Sequence, residues 1–178
     1  MQYWTIGVHS AVGVIFLVSS VSKVRNRAAF DSFVDSVRTM RLLGPAWSLP
    51  VAVAVVATEF LIWVLLAIPA RLVSAAGLVL AAGLLLVLAG AIAVAVRRGV
   101  RAPCRCFGGS VSPLGPWQAV RNVVLASAAL GAAMTGLTPG PTQPAGVAVA
   151  VVAGVVLGYL VAVSDDLIEL FAGVDAPA

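Results

Sequence analysis

Residues 46–96 read AWSLPVAVAVVATEFLIWVLLAIPARLVSAAGLVLAAGLLLVLAGAIAVAV. Glu59 and Arg71 are the charged residues of this stretch, and Pro69-Ala70-Arg71 divides it into two apolar runs, 46–70 and 72–96. A helix that crosses a bilayer needs about 20 mostly apolar residues. Each run is long enough, so the stretch predicts two spanning helices joined by a tight turn.

Three further runs qualify outward from this hairpin: 3–21, 117–137 and 145–163. Thr138 to Pro144, rich in proline and glycine, separates the last two. The run at 117–137 is the weakest, because Arg121 and Asn122 fall in its first turns. Trp4, Trp47 and Trp117 stand at run ends, as interfacial aromatics do. Composition agrees. The 178 residues are 61% hydrophobic and 10% charged, with a mean hydropathy of +1.09, where a soluble domain carries about 25% charged residues. The expected fold is all-α, a polytopic helical bundle in a bacterial-type cytoplasmic membrane. Residues 1–178 read as a single membrane domain, with a four-helix core at 3–137, an added helix at 145–163 and an acidic tail at 164–178.

The net charge of +4 does not point to nucleic acid, since the basic residues flank apolar runs in short loops and act as topology signals. The first run is not read as a secretory signal. Its positive charges, Lys23, Arg25 and Arg27, follow the apolar core instead of preceding it.

Residues 28–43 have a different pattern. Phe30, Phe33, Val34, Val37 and Met40 recur at helical spacing, and Asp31, Asp35, Arg38 and Arg41 take the other face. This predicts an amphipathic helix lying on the membrane surface or capping the bundle. Small residues recur every four positions in the last run, at Gly146, Ala150, Gly154 and Gly158, with a similar row at Gly77, Ala81, Ala89 and Ala93. Such rows let helices approach closely and fit a packed bundle or a helix-mediated oligomer.

Alternating spans bring Lys23, the amphipathic helix, the 97–116 loop and Arg121 to one membrane face, and His9 toward the other. That loop holds the chain's two cysteines, in Cys104-Arg105-Cys106-Phe107-Gly108-Gly109. Cysteines two apart can close a strained disulfide, which is more reducible and more oxidising. Arg101, Arg105 and Arg121 would favour the thiolate and raise its reactivity. A soft-metal site such as two-coordinate Cu(I) competes with this reading. A closed zinc site needs about four protein ligands, more than one chain with a single distant histidine supplies; no metal ligand is assigned.

Glu59, midway along its run, is costly in a membrane, and such residues are usually functional or paired. No base lies at matching depth along the sequence, although Lys23 or Arg121 could reach toward it from the loop face. Either a hydrogen-bonded structural role or proton transfer coupled to thiol chemistry fits. Lys23 also reads as a topology anchor. Arg121 with Asn122 can stabilise a thiolate, bind a quinone headgroup or pair with Glu59.

Taken together, a first helix ending in Lys23, Phe30 in an amphipathic stretch before Pro45, Glu59, Cys104-Arg105-Cys106-Phe107-Gly108 and Arg121-Asn122 resemble the MauE branch of the DoxX-like membrane proteins. The resemblance runs from residue 5 to about residue 137. It implies a redox-associated membrane protein that helps mature a disulfide-rich redox enzyme, as in methylamine utilisation. The architecture is similar to quinone-coupled disulfide-forming enzymes of the vitamin K epoxide reductase type, which carry Cys-x-x-Cys and a second cysteine pair. This chain has Cys-x-Cys and no second pair, so a partner thiol protein would complete any relay.

The resulting expectation is thiol–disulfide exchange at Cys104 and Cys106, with Glu59 and Arg121 as further catalytic candidates. Lys23, Arg105, Phe107 and Asn122 are the candidates for holding a quinone. The alternative is a non-enzymatic accessory subunit or a Cu(I)-handling protein. The positive-inside rule places the cysteine face in the cytoplasm, whereas oxidative maturation of an exported protein needs the outer face.

Overall fold

The computed structural model describes residues 2–42, 44–99, 115–137 and 140–172, with side chains through Ser164. Its described residues form six α-helices: α1 (Gln2–Val24), α2 (Arg27–Thr39), α3 (Ser48–Ala67), α4 (Arg71–Arg97), α5 (Pro116–Gly136) and α6 (Pro144–Ala172). A 3₁₀ turn at Pro45–Trp47 leads into α3. Five helices are long and apolar enough to cross a membrane: α1, Pro45–Ala67, α4, α5 and Pro144–Ser164 of α6.

Local chemistry sets the helix ends. Asn26 caps α2, its side-chain oxygen accepting the Ala29 N–H at 2.7 Å. Ile68 leaves helical geometry at φ −81°, ψ 122°, the conformation that a following proline imposes, and so α3 stops before Pro69. Gly99 ends α4 at φ +68°, with its N–H on the Val96 carbonyl at 3.0 Å. Pro116 opens α5 at the position where a missing N–H costs nothing, and Gln118 accepts the Gly115 N–H at 2.9 Å.

α1 packs against α3, α5 and α6, while α4 packs against α3 and α5. Ile15 and Phe16 of α1, Ile62 of α3, Leu78 and Leu85 of α4, and Ala126 and Ala129 of α5 meet in one buried core. α2 lies on α3, burying Phe33 and Val34 against Ala52 and Val56 and leaving Asp31, Asp35 and Arg38 exposed.

Three sets of contacts fix the helix directions. His9 Nε2 meets the Leu66 carbonyl at 2.8 Å, and Ser19 donates to Glu59 further along, so α1 and α3 are antiparallel. Thr5 and Thr135 hydroxyls bond at 2.8 Å where α1 begins and α5 ends, as antiparallel helices require. α6 runs parallel to α1: Gly146 lies on Tyr3, Gly154 on Gly7 and Gly158 on Ala11. A β-carbon on Gly154 would fall inside contact distance of the Gly7 carbonyl oxygen. The small-residue row of the last run is thus the surface that seats α6 on α1. The C-terminal ends of α1, α4 and α6 and the start of α3 and α5 consequently share one end of the bundle with α2.

Two boundaries differ from those read in the sequence. The helix expected over 28–43 ends at Thr39, and Arg41 adopts φ +50°. The last helix, expected to close at Val163, continues to Ala172. The residues from Ser164 to Ala172 contain no proline or glycine to stop it, and the acidic stretch expected as a tail begins inside the helix.

Candidate functional site

Most buried polar side chains of the described residues lie toward the α2 end. Ser19, Ser20, Lys23, Ser36, Ser48, Glu59, Gln118, Arg121 and Asn122 are all buried, and Glu59 and Asn122 are 0% exposed. At their centre is an ion pair. Lys23 Nζ donates to Glu59 Oε1 at 2.8 Å and Oε2 at 3.1 Å, and also to Ser19 Oγ. The Ser19 hydroxyl donates to Glu59 Oε1 at 3.1 Å. Phe33 of α2 closes the cluster, its ring centroid 5.1 Å from Lys23 Nζ, a cation–π contact that strengthens once water is excluded.

Helix geometry explains why a lysine in the last turn of α1 meets a glutamate midway along α3. Side chains on a helix tilt toward its N-terminus. Lys23 therefore leans inward along α1, over Ser19 one turn earlier. Glu59 leans toward the start of the antiparallel α3, and so toward the α2 end. The two side chains approach one another and close the difference in depth.

Register brings the second pair of polar residues to the same level. Ser19 lies as many residues after Thr5 as Arg121 lies before Thr135, and the Thr5–Thr135 bond aligns the two helices. Arg121 is 7% exposed, and its Nη1 donates to Ser164 Oγ of α6 at 3.0 Å. Neither side-chain polar atom of Asn122 has a hydrogen-bond partner among the described residues. A buried amide left so costs about 1–3 kcal/mol, and such groups concentrate where function overrides packing.

Of the candidates read from sequence, Lys23 and Glu59 are brought into direct contact, and Arg121 and Asn122 share their level. Cys104, Arg105, Cys106 and Phe107 lie outside the described residues; the flanks of their segment, Gly99 and Gly115, belong to the α2 end. His9 is at the far side of the bundle. Three members of the cluster were not singled out. Ser19 was signalled by its i, i+4 spacing from Lys23. Phe33 was read only as part of an apolar stripe, and Ser164 carried no sequence signal. Chemically, the cluster pairs a buried ammonium with a carboxylate, with a hydroxyl bridging both.

The family described as methylamine utilisation protein MauE matches residues 1–135, which takes in α1 to α4 and nearly all of α5 and leaves α6 outside. No curated protein and no solved structure matches the chain. The chain belongs to the MauE family, and its five apolar helices make it a multi-pass integral membrane protein.

Proposed function

We propose that this MauE-family protein is a redox-associated membrane factor that exchanges disulfides with a partner protein through Cys104 and Cys106, in support of a redox enzyme such as that of methylamine utilisation. One thiolate of the pair attacks a partner disulfide, giving a mixed disulfide and releasing one partner thiolate. The second cysteine then attacks the mixed disulfide. The partner leaves as a dithiol and the Cys104–Cys106 disulfide remains, so two electrons have passed to the partner. A quinone is the second substrate: when the exchange runs in the opposite sense and oxidises the partner, the reduced pair passes two electrons and two protons to the quinone, which leaves as a quinol. The sequence is reversible, and the compartment's redox poise sets its net direction.

The observation that carries this reading is the buried Lys23–Glu59–Ser19 cluster at the end of the bundle from which the cysteine segment departs. An intramembrane ion pair is expensive and is by default a functional site, and exchange chemistry needs protons delivered to and removed from sulfur. Asn122, carrying both donor and acceptor, suits the carbonyl of a quinone headgroup, and Arg121 suits its developing negative charge or a thiolate. Arg105 and Phe107 are assigned beside them by their place in the cysteine motif. In this reading α1, α3, α4 and α5 are the four-helix core, α6 is the added helix, and α2 is an amphipathic helix on the membrane surface.

The test is trapping. Cys106→Ser or Cys104→Ser, expressed at native level, should accumulate a mixed disulfide with a partner that reductant releases on a non-reducing gel. Absence of any adduct from both variants, with stoichiometric copper in the purified wild type, would replace this reading with soft-metal handling.

A further inference from the structure

Lys23 is buried although Val21, Val24, Arg25 and Asn26 around it are exposed. A lysine in the last turn of a helix stands in water unless another element covers it. Here that element is α2, which packs on α1 and α3 and lays Phe33 over Lys23 Nζ. The cover is held by an apolar contact of its own. Phe33 and Val34 are buried against Ala52 and Val56 of α3, in a cluster separate from the main core built around Phe16, Ile62 and Leu85. The side chains of Ser36, Arg38 and Thr39 donate within α2, to Ser32 and Asp35, and so do not tie the helix to the bundle.

The two ends of α2 are held differently. At its start, a recess of about 490 Å³ is lined by Val24, Asn26, Arg27, Phe30 and Asp31, residues of the α1–α2 turn and the first turn of α2 itself. Past its end, Met40 packs on the main core, and the Arg41 carbonyl accepts a hydrogen bond from Arg98 Nη1 of the α4 terminus at 3.3 Å. Arg41 also stands at φ +50°, a left-handed conformation that is costly for a residue with a β-carbon and that rotation at this position would relieve. One end is thus anchored beside a strained residue, and the other is loosely backed. An element resting on a small cluster of its own is the kind that opens well before the global unfolding of a protein.

We propose that α2 is a hinged lid: it lifts at its Asn26 end about Arg41 while the spanning helices stay packed, and so admits water to the Lys23–Glu59 pair. The short connection from Val24 to Arg27 limits the lift to one that wets the pair without detaching the helix. A pair sealed from water holds its charges but exchanges no proton with the aqueous phase, so the lid sets when protons enter and leave the cluster. The proposal rests on the assignment of that pair to the functional site, and its test uses neither Cys104 nor Cys106.

Two readouts on the full-length protein in liposomes test the lid. In wild type, the amide hydrogens of residues 31–39 should exchange together while those of α3 and α4 stay protected. Ser19→Cys, in a Cys104→Ser, Cys106→Ser background, puts a thiol beside the pair, and Ala129→Cys in the main core is its control. A water-soluble methanethiosulfonate should modify the first and leave the second untouched. Ser20→Cys, also fully buried on α1, takes the place of Ser19→Cys if that variant does not fold. Phe33→Ala removes much of the contact that holds α2 down. It should raise the modification rate by about tenfold or more, since the rate follows the open population. A rate that Phe33→Ala leaves unchanged, or residues 31–39 as protected as α3, would make α2 a fixed cover and overturn the proposal. Exchange of residues 31–39 with no modification beside the pair would mean that α2 unravels in place, which overturns it too. Failure of the disulfide-exchange reading is told apart from these outcomes, because it is read from missing adducts of Cys104 and Cys106 and leaves the lid standing.

Discussion

Lys23 Nζ stands 2.8 Å from Glu59 Oε1, with 4% and 1% of the two side chains exposed, although one residue ends a helix and the other lies midway along its neighbour. Removing one partner of a buried pair leaves a charge with nothing to answer it, at about 3–5 kcal/mol. Lys23→Met and Glu59→Leu should each lower the unfolding midpoint in detergent strongly. The double variant should recover most of that loss, because two apolar side chains of similar volume replace the pair without an orphan charge. If the pair serves chemistry, the double variant will fold and still fail to support partner oxidation or reduction in cells. Recovery of both stability and activity would make the pair a packing device alone.

The Ser19 hydroxyl lies between the two charges, and a hydrogen bond to a charged group contributes about 1.5–3 kcal/mol. Ser19→Ala should therefore destabilise by less than either single charge removal. It should also show little extra cost in a Lys23→Met, Glu59→Leu background. That non-additivity, read from a double-mutant cycle on unfolding midpoints, is expected of groups in one network. Full additivity would mean that Ser19 acts elsewhere.

The five spans were legible in sequence because long apolar runs bounded by Pro69, Gly99, Pro116 and Pro144 leave little else for the chain to do. The placing of Lys23, the amphipathic helix and Arg121 at one end followed from alternating direction alone, whereas Glu59 read as midway along its helix. Their contacts did not. The Lys23–Glu59 bond depends on the opposite lean of side chains on antiparallel helices, and the Arg121–Ser164 bond depends on the register in which the Gly7–Gly154 and Ala11–Gly158 seats hold α6 on α1 and on α6 continuing past Val163. The cysteines carry most of the redox reading, and they stand in the segment between Gly99 and Gly115.

Gly154 and Gly83 provide a matched test of the α1–α6 seat. A β-carbon at Gly154 meets the Gly7 carbonyl and Ser10, whereas one at Gly83 meets nothing within 4 Å. Overpacking typically costs about 1–3 kcal/mol. Gly154→Val should lower the unfolding midpoint and loosen α6, seen as faster proteolysis after α5. Gly83→Val should be neutral. Equal behaviour of the two variants would mean that α6 is not seated through this row.

Ser164 reaches Arg121 from a helix outside the matched family region, so Ser164→Ala should separate the contribution of α6 from that of the rest of the bundle. It removes one acceptor from a buried guanidinium, a loss of about 1–3 kcal/mol. Ser164→Thr, which keeps the hydroxyl, should restore the midpoint. Arg121→Lys should not behave as wild type, since an ammonium lacks the planar fork.

The basic residues of the α2 end predict the orientation of the whole protein. Lys23, Arg25, Arg27, Arg38, Arg41, Arg97, Arg98 and Arg121 belong to it, with Arg101 and Arg105 in the adjoining segment, and Arg71 alone stands at the other end. By the positive-inside rule, an excess of that size predicts that this end faces the cytoplasm. A membrane-impermeant maleimide should therefore label Cys104 and Cys106 only after permeabilisation. The thiols would be kept reduced there by the cytosolic thiol pool, and the redox reading would become a reductive or metal-handling one. Labelling in intact cells only after added reductant would instead show an outward-facing disulfide. The charge excess would then have to be attributed to thiolate stabilisation and to the surface of α2, and the net reaction would run toward oxidation of an exported partner.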